Sequence, residues 1–278
     1  MADPLSTPAS PAPPVALVAA GEVRLACEER GSGEAVLLVA GGAMDMDQWD
    51  AQMAAFAPGR RVIRFDPRGV GASDGPPDGY TIEQLADDAI ALITTLQAAP
   101  CVLFGNSLGG SVAIAAALRA PSAVRALILA ATDAGPAGPP MPPETQTEMF
   151  RASALPVVEA AAAAQEIVFA GDYPRRHPEV LQRAIAKREA NTAPLIATLG
   201  PLQSVAAFDP LPALKSLRVP TLILHGARDR MVPAGNAALL AEHIAGAQLR
   251  VLPDAGHGLV MEAAGPVNAA VLEFLDSL

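Results

Sequence analysis

The chain is poor in several things, and each shortage closes off a class of protein. Only two cysteines, Cys27 and Cys101, occur in 278 residues. Each lies in an apolar, strand-like run where a thiol behaves as a small buried hydrophobe, so neither a disulfide framework nor a cysteine metal site is expected. Basic residues are outnumbered, 19 Lys and Arg against 29 Asp and Glu for a formal charge of -10. A phosphate backbone would be repelled rather than gathered, which sets nucleic acid aside as a partner. No apolar run is long enough to span a bilayer, so no membrane segment is expected. The opening Met1-Ala2-Asp3-Pro4-Leu5 lacks the basic residues and long apolar stretch of a secretory signal, and a cytoplasmic location is the expectation.

What is abundant is apolar material, 51% of the chain, enough to fill a sizeable core. The length suits one α/β core carrying an inserted subdomain. Residues 1–14, rich in Pro, Ala and Ser, have no hydrophobic period and read as a disordered tail. Strands are expected at 15–20, 23–30, 35–40, 61–65, 102–106, 124–130, 219–225 and 249–252. Helical spacing is read at 49–56, at 81–96 with Thr81 as its N-cap, and after each later strand. Alternation of strand and helix predicts a mostly parallel central sheet flanked by helices. The loop Asp66-Pro67-Arg68-Gly69-Val70-Gly71-Ala72-Ser73-Asp74 lacks the three spaced glycines of a dinucleotide site and is followed by prolines, so it reads as a structural loop. Residues 134–208 hold no convincing strand. They read as an inserted helical cap, a lid over a core built from 15–133 and 209–278. Candidate pocket residues are Met149, Phe150, Phe169, Tyr173 and Phe208 from that insertion, any of which could equally belong to the core, with Met44 and Trp49 from the loop after the 35–40 strand.

The chemistry centres on Gly105-Asn106-Ser107-Leu108-Gly109-Gly110. A buried-type strand runs into a glycine-flanked serine and then into small residues at helical spacing, which is a strand, sharp turn and helix with Ser107 at the apex. A serine hydroxyl needs a base to take its proton and an acid to orient that base. Among four histidines, His257 lies in a glycine-bracketed loop after the last strand, at the sheet edge where Ser107 emerges, and is the candidate base. Asp229, in the loop after the preceding strand, gives the chain order Ser, Asp, His. Asp133 is its rival, and Asp254 is too near His257 in sequence. A tetrahedral intermediate needs preorganised N–H donors. The Leu108 amide at the helix start is one candidate, and Gly42 of Gly41-Gly42 is the other.

These motifs, in this order, resemble the α/β-hydrolase superfamily over nearly the whole chain. Four segments carry the likeness: the Ser107 elbow, the loop from Phe65 to Ser73, Gly226-Ala227-Arg228-Asp229, and Gly256-His257. Within it the chain is similar to capped esterases and lactonases such as aclacinomycin methylesterase and 3-oxoadipate enol-lactonase. The resemblance implies a cofactor-independent serine hydrolase cleaving an ester or lactone of a small to medium apolar molecule through an acyl-enzyme. One departure is Ala40-Gly41-Gly42, where many relatives carry His-Gly; a backbone donor survives that change, but a loop histidine's hydrogen bonds do not. Two other readings stay open. The elbow also resembles carbon–carbon hydrolases of aromatic ring cleavage, although those usually carry tryptophan where Gly258 stands. A non-catalytic binding protein of the same fold is the second. Epoxide hydrolases and haloalkane dehalogenases are disfavoured because they carry aspartate where Ser107 stands.

Overall fold

A computed structural model describes residues 14–75, 80–190 and 207–278. The tail expected over 1–14 therefore lies, but for Pro14, outside the described residues, as do residues 191–206 of the 134–208 insertion. Among the described residues eight strands form one sheet: β1 (Ala16–Ala20), β2 (Val23–Arg30), β3 (Ala35–Val39), β4 (Arg61–Phe65), β5 (Cys101–Asn106), β6 (Val124–Ala130), β7 (Thr221–Gly226) and β8 (Gln248–Leu252). Their spatial order is β1-β2-β4-β3-β5-β6-β7-β8. β1 pairs antiparallel with β2, and β2 antiparallel with β4. Every other pairing is parallel, as the strand–helix alternation predicts.

Helices follow as α1 (Asp50–Phe56), α2 (Ile82–Thr95), α3 (Leu108–Arg119), α4 (Pro143–Ser153), α5 (Val157–Val168), α6 (Tyr173–Arg176), α7 (Pro178–Ala190), α8 (Leu211–Leu214), α9 (Gly235–His243), α10 (Leu259–Glu262) and α11 (Ala264–Asp276). Thr81 caps α2 as expected: its hydroxyl accepts from the Gln84 N–H at 3.2 Å while Gln84 Oε1 accepts from the Thr81 N–H at 3.0 Å. Two backbone donors at the helix start are satisfied at once.

The central strands are apolar throughout because both their faces are covered. Successive side chains alternate sides. Leu37, Leu103, Leu127 and Ile223 pack with Leu85, Leu92, Val112 and Leu240 of α2, α3 and α9. Val36, Leu38, Phe104, Ile128 and Leu222 pack on the opposite face with Met53, Phe56, Val271 and Phe274 of α1 and α11. Trp49 belongs to that second layer. It is 0% exposed, and its ring lies 4.8 Å from that of Phe104. The expectation that Trp49 faces a pocket is therefore corrected: the apolar face of the turn Met46–Trp49 and of α1 is turned into the core, and the tryptophan goes with it.

Cys27 and Cys101 are buried and unpaired, and burial pushes each thiol up to about 12. Between β6 and β7 the described residues form helices α4 to α8 and no strand. Among the described residues no helix is long and apolar enough to cross a membrane.

Candidate active site

All the parallel strands end at one edge, and the loops leaving β3, β5, β7 and β8 meet there. The β5-to-α3 turn is the tightest. Ser107 takes φ 52° and ψ -120°, a left-handed conformation that strains a non-glycine residue and lifts its side chain clear of the sheet. The turn closes only because its neighbours are small. A Cβ on Gly105 would collide with the backbone of Gly109, one on Gly109 with the carbonyls of Val39 and Ala40, and one on Gly110 with the Thr132 side chain. The Ser107 N–H is held by the Ala130 carbonyl at 2.8 Å.

Ser107, His257 and Asp229 form one hydrogen-bonded chain. His257 Nε2 lies 3.1 Å from Ser107 Oγ, and His257 Nδ1 lies 2.8 Å from Asp229 Oδ2. With the proton on Nδ1, the ring donates to the carboxylate and leaves Nε2 to accept from the serine hydroxyl. Asp229 is itself fixed, since Oδ1 accepts from the N–H groups of Met231 and Val232, each at 2.8 Å. Burial disfavours its charge, yet the attraction and hydrogen bonds of His257 and His225 outweigh burial and hold its carboxyl well below the usual carboxylate range.

His225 is the member that sequence reasoning missed. It ends β7 fully buried, with Nε2 donating to the Val232 carbonyl at 2.8 Å and standing 3.4 Å from Asp229 Oδ2. The four-residue spacing from His225 to Asp229 across Gly226 was the available signal.

Asp133 does not partner the histidine. Its Oδ1 accepts from the Gly135 N–H at 2.5 Å, and burial raises its pKa above the ordinary aspartate value. Asp254 instead pairs with Arg228 at 2.6 Å. The Gly41 N–H donates to Gln48 Oε1 at 3.1 Å, which fixes the β3 loop where Gly42 follows, and Leu108 opens α3.

The aromatic candidates separate clearly. Phe150 is 78% exposed on α4, so the expectation that it walls a pocket is corrected: α4 turns Thr145 and Ala152 inward and Phe150 to solvent. Phe208 packs against the core layer that α2 and α3 cover, and Met44 against the opposite layer. Met149 is half-buried. Phe169 and Tyr173 are buried against each other, ring centroids 4.8 Å apart, and the Phe169 ring lies where a Cβ on Gly258 would stand. Among the described residues no three His, Cys, Asp or Glu side chains gather to hold a metal ion.

A mostly parallel sheet with a serine on a strained strand-to-helix turn, and a histidine and an aspartate hydrogen-bonded in series behind it, defines a class of α/β enzymes. The chain belongs to the α/β-hydrolase-fold family, whose model matches residues 34–264. It is 29% identical to 2-hydroxymuconate semialdehyde hydrolase from a Pseudomonas species over 276 residues, covering 93% of this chain and 92% of that protein. Among solved structures it resembles the enol-lactonase from Burkholderia xenovorans, with 28% identity, TM-score 0.80, and 95% of this chain and 100% of that chain covered. A thermophilic esterase from Thermogutta terrifontis is 31% identical, with TM-score 0.76 and 95% and 97% covered. The chain is thus a member of a hydrolase family whose relatives include enol-lactonases and esterases.

Proposed function

We propose that this protein is a serine hydrolase that cleaves a carboxylic ester or lactone of a small to medium apolar molecule, with Ser107 as nucleophile, His257 as general base and acid, and Asp229 as the orienting acid. The observation that carries this reading is the Ser107–His257–Asp229 hydrogen-bond chain at 3.1 and 2.8 Å. Ser107 Oγ attacks the ester carbonyl as its proton passes to His257 Nε2. The oxyanion accepts from the backbone N–H groups of Gly42 and Leu108. His257 then hands the proton to the departing alkoxide, leaving an acyl-serine. Water, deprotonated by the same nitrogen, releases the acid and restores the hydroxyl. No cofactor enters any of these steps. The helices between β6 and β7 act as a cap over this edge and exclude bulk water.

Arginines at or just beyond the ends of β4 and β7 are already paired, which favours a neutral substrate. Arg64 is spent on Glu28 and Asp50, Arg68 on Asp88, and Arg230 on Glu148. A carbon–carbon bond hydrolase is the second reading, supported by the likeness to 2-hydroxymuconate semialdehyde hydrolase. Turnover of p-nitrophenyl esters of graded acyl length is the test. Hydrolysis that optimises at short to medium acyl chains and is lost in Ser107→Ala supports the ester reading. Inert esters with consumption of a ring-cleavage product support the second. Ligand binding without any turnover, retained in Ser107→Ala, makes the protein a receptor and overturns both.

A further inference from the structure

The glycines on either side of His257 make room for the insertion rather than for a turn. Neither has a positive φ. A Cβ on Gly256 would stand 3.0 Å from both the Ala170 nitrogen and the Val168 oxygen, and one on Gly258 would run into the Phe169 ring. The segment from Val168 to Ala170, at the end of α5, therefore lies directly on the histidine loop. The Gly258 N–H donates to the Val168 carbonyl at 3.0 Å. The second tie is made by a side chain that the catalytic scheme leaves unused. Glu262 of α10 accepts from the Gly256 N–H through Oε1 at 2.7 Å and from the Ala170 N–H through Oε2 at 2.6 Å.

We propose that Glu262 is a positioning residue whose carboxylate clamps the His257 loop to the cap, so that the base is correctly aimed only when the cap is seated. The proposal rests on the reading of His257 as the base. Both oxygens of the clamp must accept, which only the ionised carboxylate does well; an acid or an amide turns one of the two positions into a donor facing an N–H. Burial raises the Glu262 pKa, and Asp229 raises it further, while the two backbone N–H bonds and His257 pull it back down. Tyr173 interacts with it from α6, and Arg176 and Asp254 line the same groove of about 420 Å³. That groove gives small anions access to Glu262 from solvent.

A base displaced by about 1 Å can cost on the order of a hundredfold in rate. The loss should be larger on an alkyl ester, because His257 takes the serine proton with either ester but only an alkoxide also needs that proton back in order to leave. Glu262→Gln is compared with wild type on an alkyl ester and a p-nitrophenyl ester of the same acid, with active sites counted by fluorophosphonate labelling of Ser107. The expected result is a kcat/KM loss of about a hundredfold on the alkyl ester and about tenfold or less on the aryl ester, at unchanged site titre. An unchanged kcat/KM on the alkyl ester, or a loss that follows the titre, would overturn the clamp. In Glu262→Ala, added formate should restore turnover of the alkyl ester by reoccupying the two N–H groups, and a folded variant that formate leaves unrescued also overturns it. Wild-type protein that turns over neither ester and leaves Ser107 unlabelled would instead sink the underlying hydrolase reading.

Discussion

At the scale of single residues, the two aspartates at the ends of β6 and β7 are told apart by their surroundings. Asp229 is held ionised by two histidines, and in the proposed mechanism its charge orients His257. Asp133 carries a raised pKa from burial, with only the Gly135 N–H drawing it back. A carboxyl whose folded pKa is raised contributes stability below its unfolded pKa and loses it as pH rises through the folded value. At neutral pH Asp133 is therefore a burden to the fold, and Asp133→Asn, which keeps an acceptor for Gly135, should leave the melting temperature equal or higher. That gain should vanish on acidification, and kcat should stay within about twofold of wild type, since no proton passes through Asp133. Asp229→Asn should lower kcat by about 10⁴-fold, because an amide facing Nδ1 favours the wrong tautomer. Thermal melts at two pH values and ester kinetics on both variants check this. A large loss in Asp133→Asn with little in Asp229→Asn would reverse the assignment.

At the scale of elements, what could be read from the sequence was what is written locally. Strand character, the glycine pattern around Ser107, the Thr81 cap and the loop positions of Asp229 and His257 depend on neighbours within a few residues, and the structure finds them there. Burial of an amphipathic segment's individual side chains depends on what packs against it, so Trp49 and Phe150 were misjudged in opposite directions. The His225 contact with Asp229, the clamp from Glu262 to Ala170, 92 residues away, and the break at Ala263 between α10 and α11 are tertiary and left no periodic trace. The correction at Trp49 is testable. As the largest fully buried side chain against Phe104, it should cost about 3–5 kcal/mol of stability when replaced by alanine. Trp49→Phe should be milder and should leave KM for a series of acyl lengths unchanged. Chemical denaturation with parallel kinetics decides, and a shifted acyl-length optimum in Trp49→Phe would return Trp49 to the pocket.

At the scale of the whole molecule, the excess of acid is partly put to use where the insertion meets the core. Arg183 of α7 pairs with Asp50 at 3.0 Å, and Lys187 with Asp45 and Asp47 at 2.5 and 3.6 Å. These aspartates follow Gly42 in the segment that runs from β3 into α1, so the proposed cap, leaning on them through α7, would hold the proposed oxyanion donor as well as cover it. Each such exposed pair contributes only about 0.2–1 kcal/mol, too little to show in a melt but enough to shift a docking equilibrium between about twofold and thirtyfold for two pairs. Salt separates these possibilities, because raising it from about 0.1 M to about 1 M shortens the screening length from about 10 to about 3 Å. A neutral ester feels no steering by the protein's net charge. A fall in kcat/KM with salt would then report the cap, and Arg183→Gln with Lys187→Gln should abolish that dependence, hold kcat/KM near the wild type's high-salt value and leave the melting temperature within a degree or two. A double variant that keeps the wild-type salt slope would show that α7 docks without these charges.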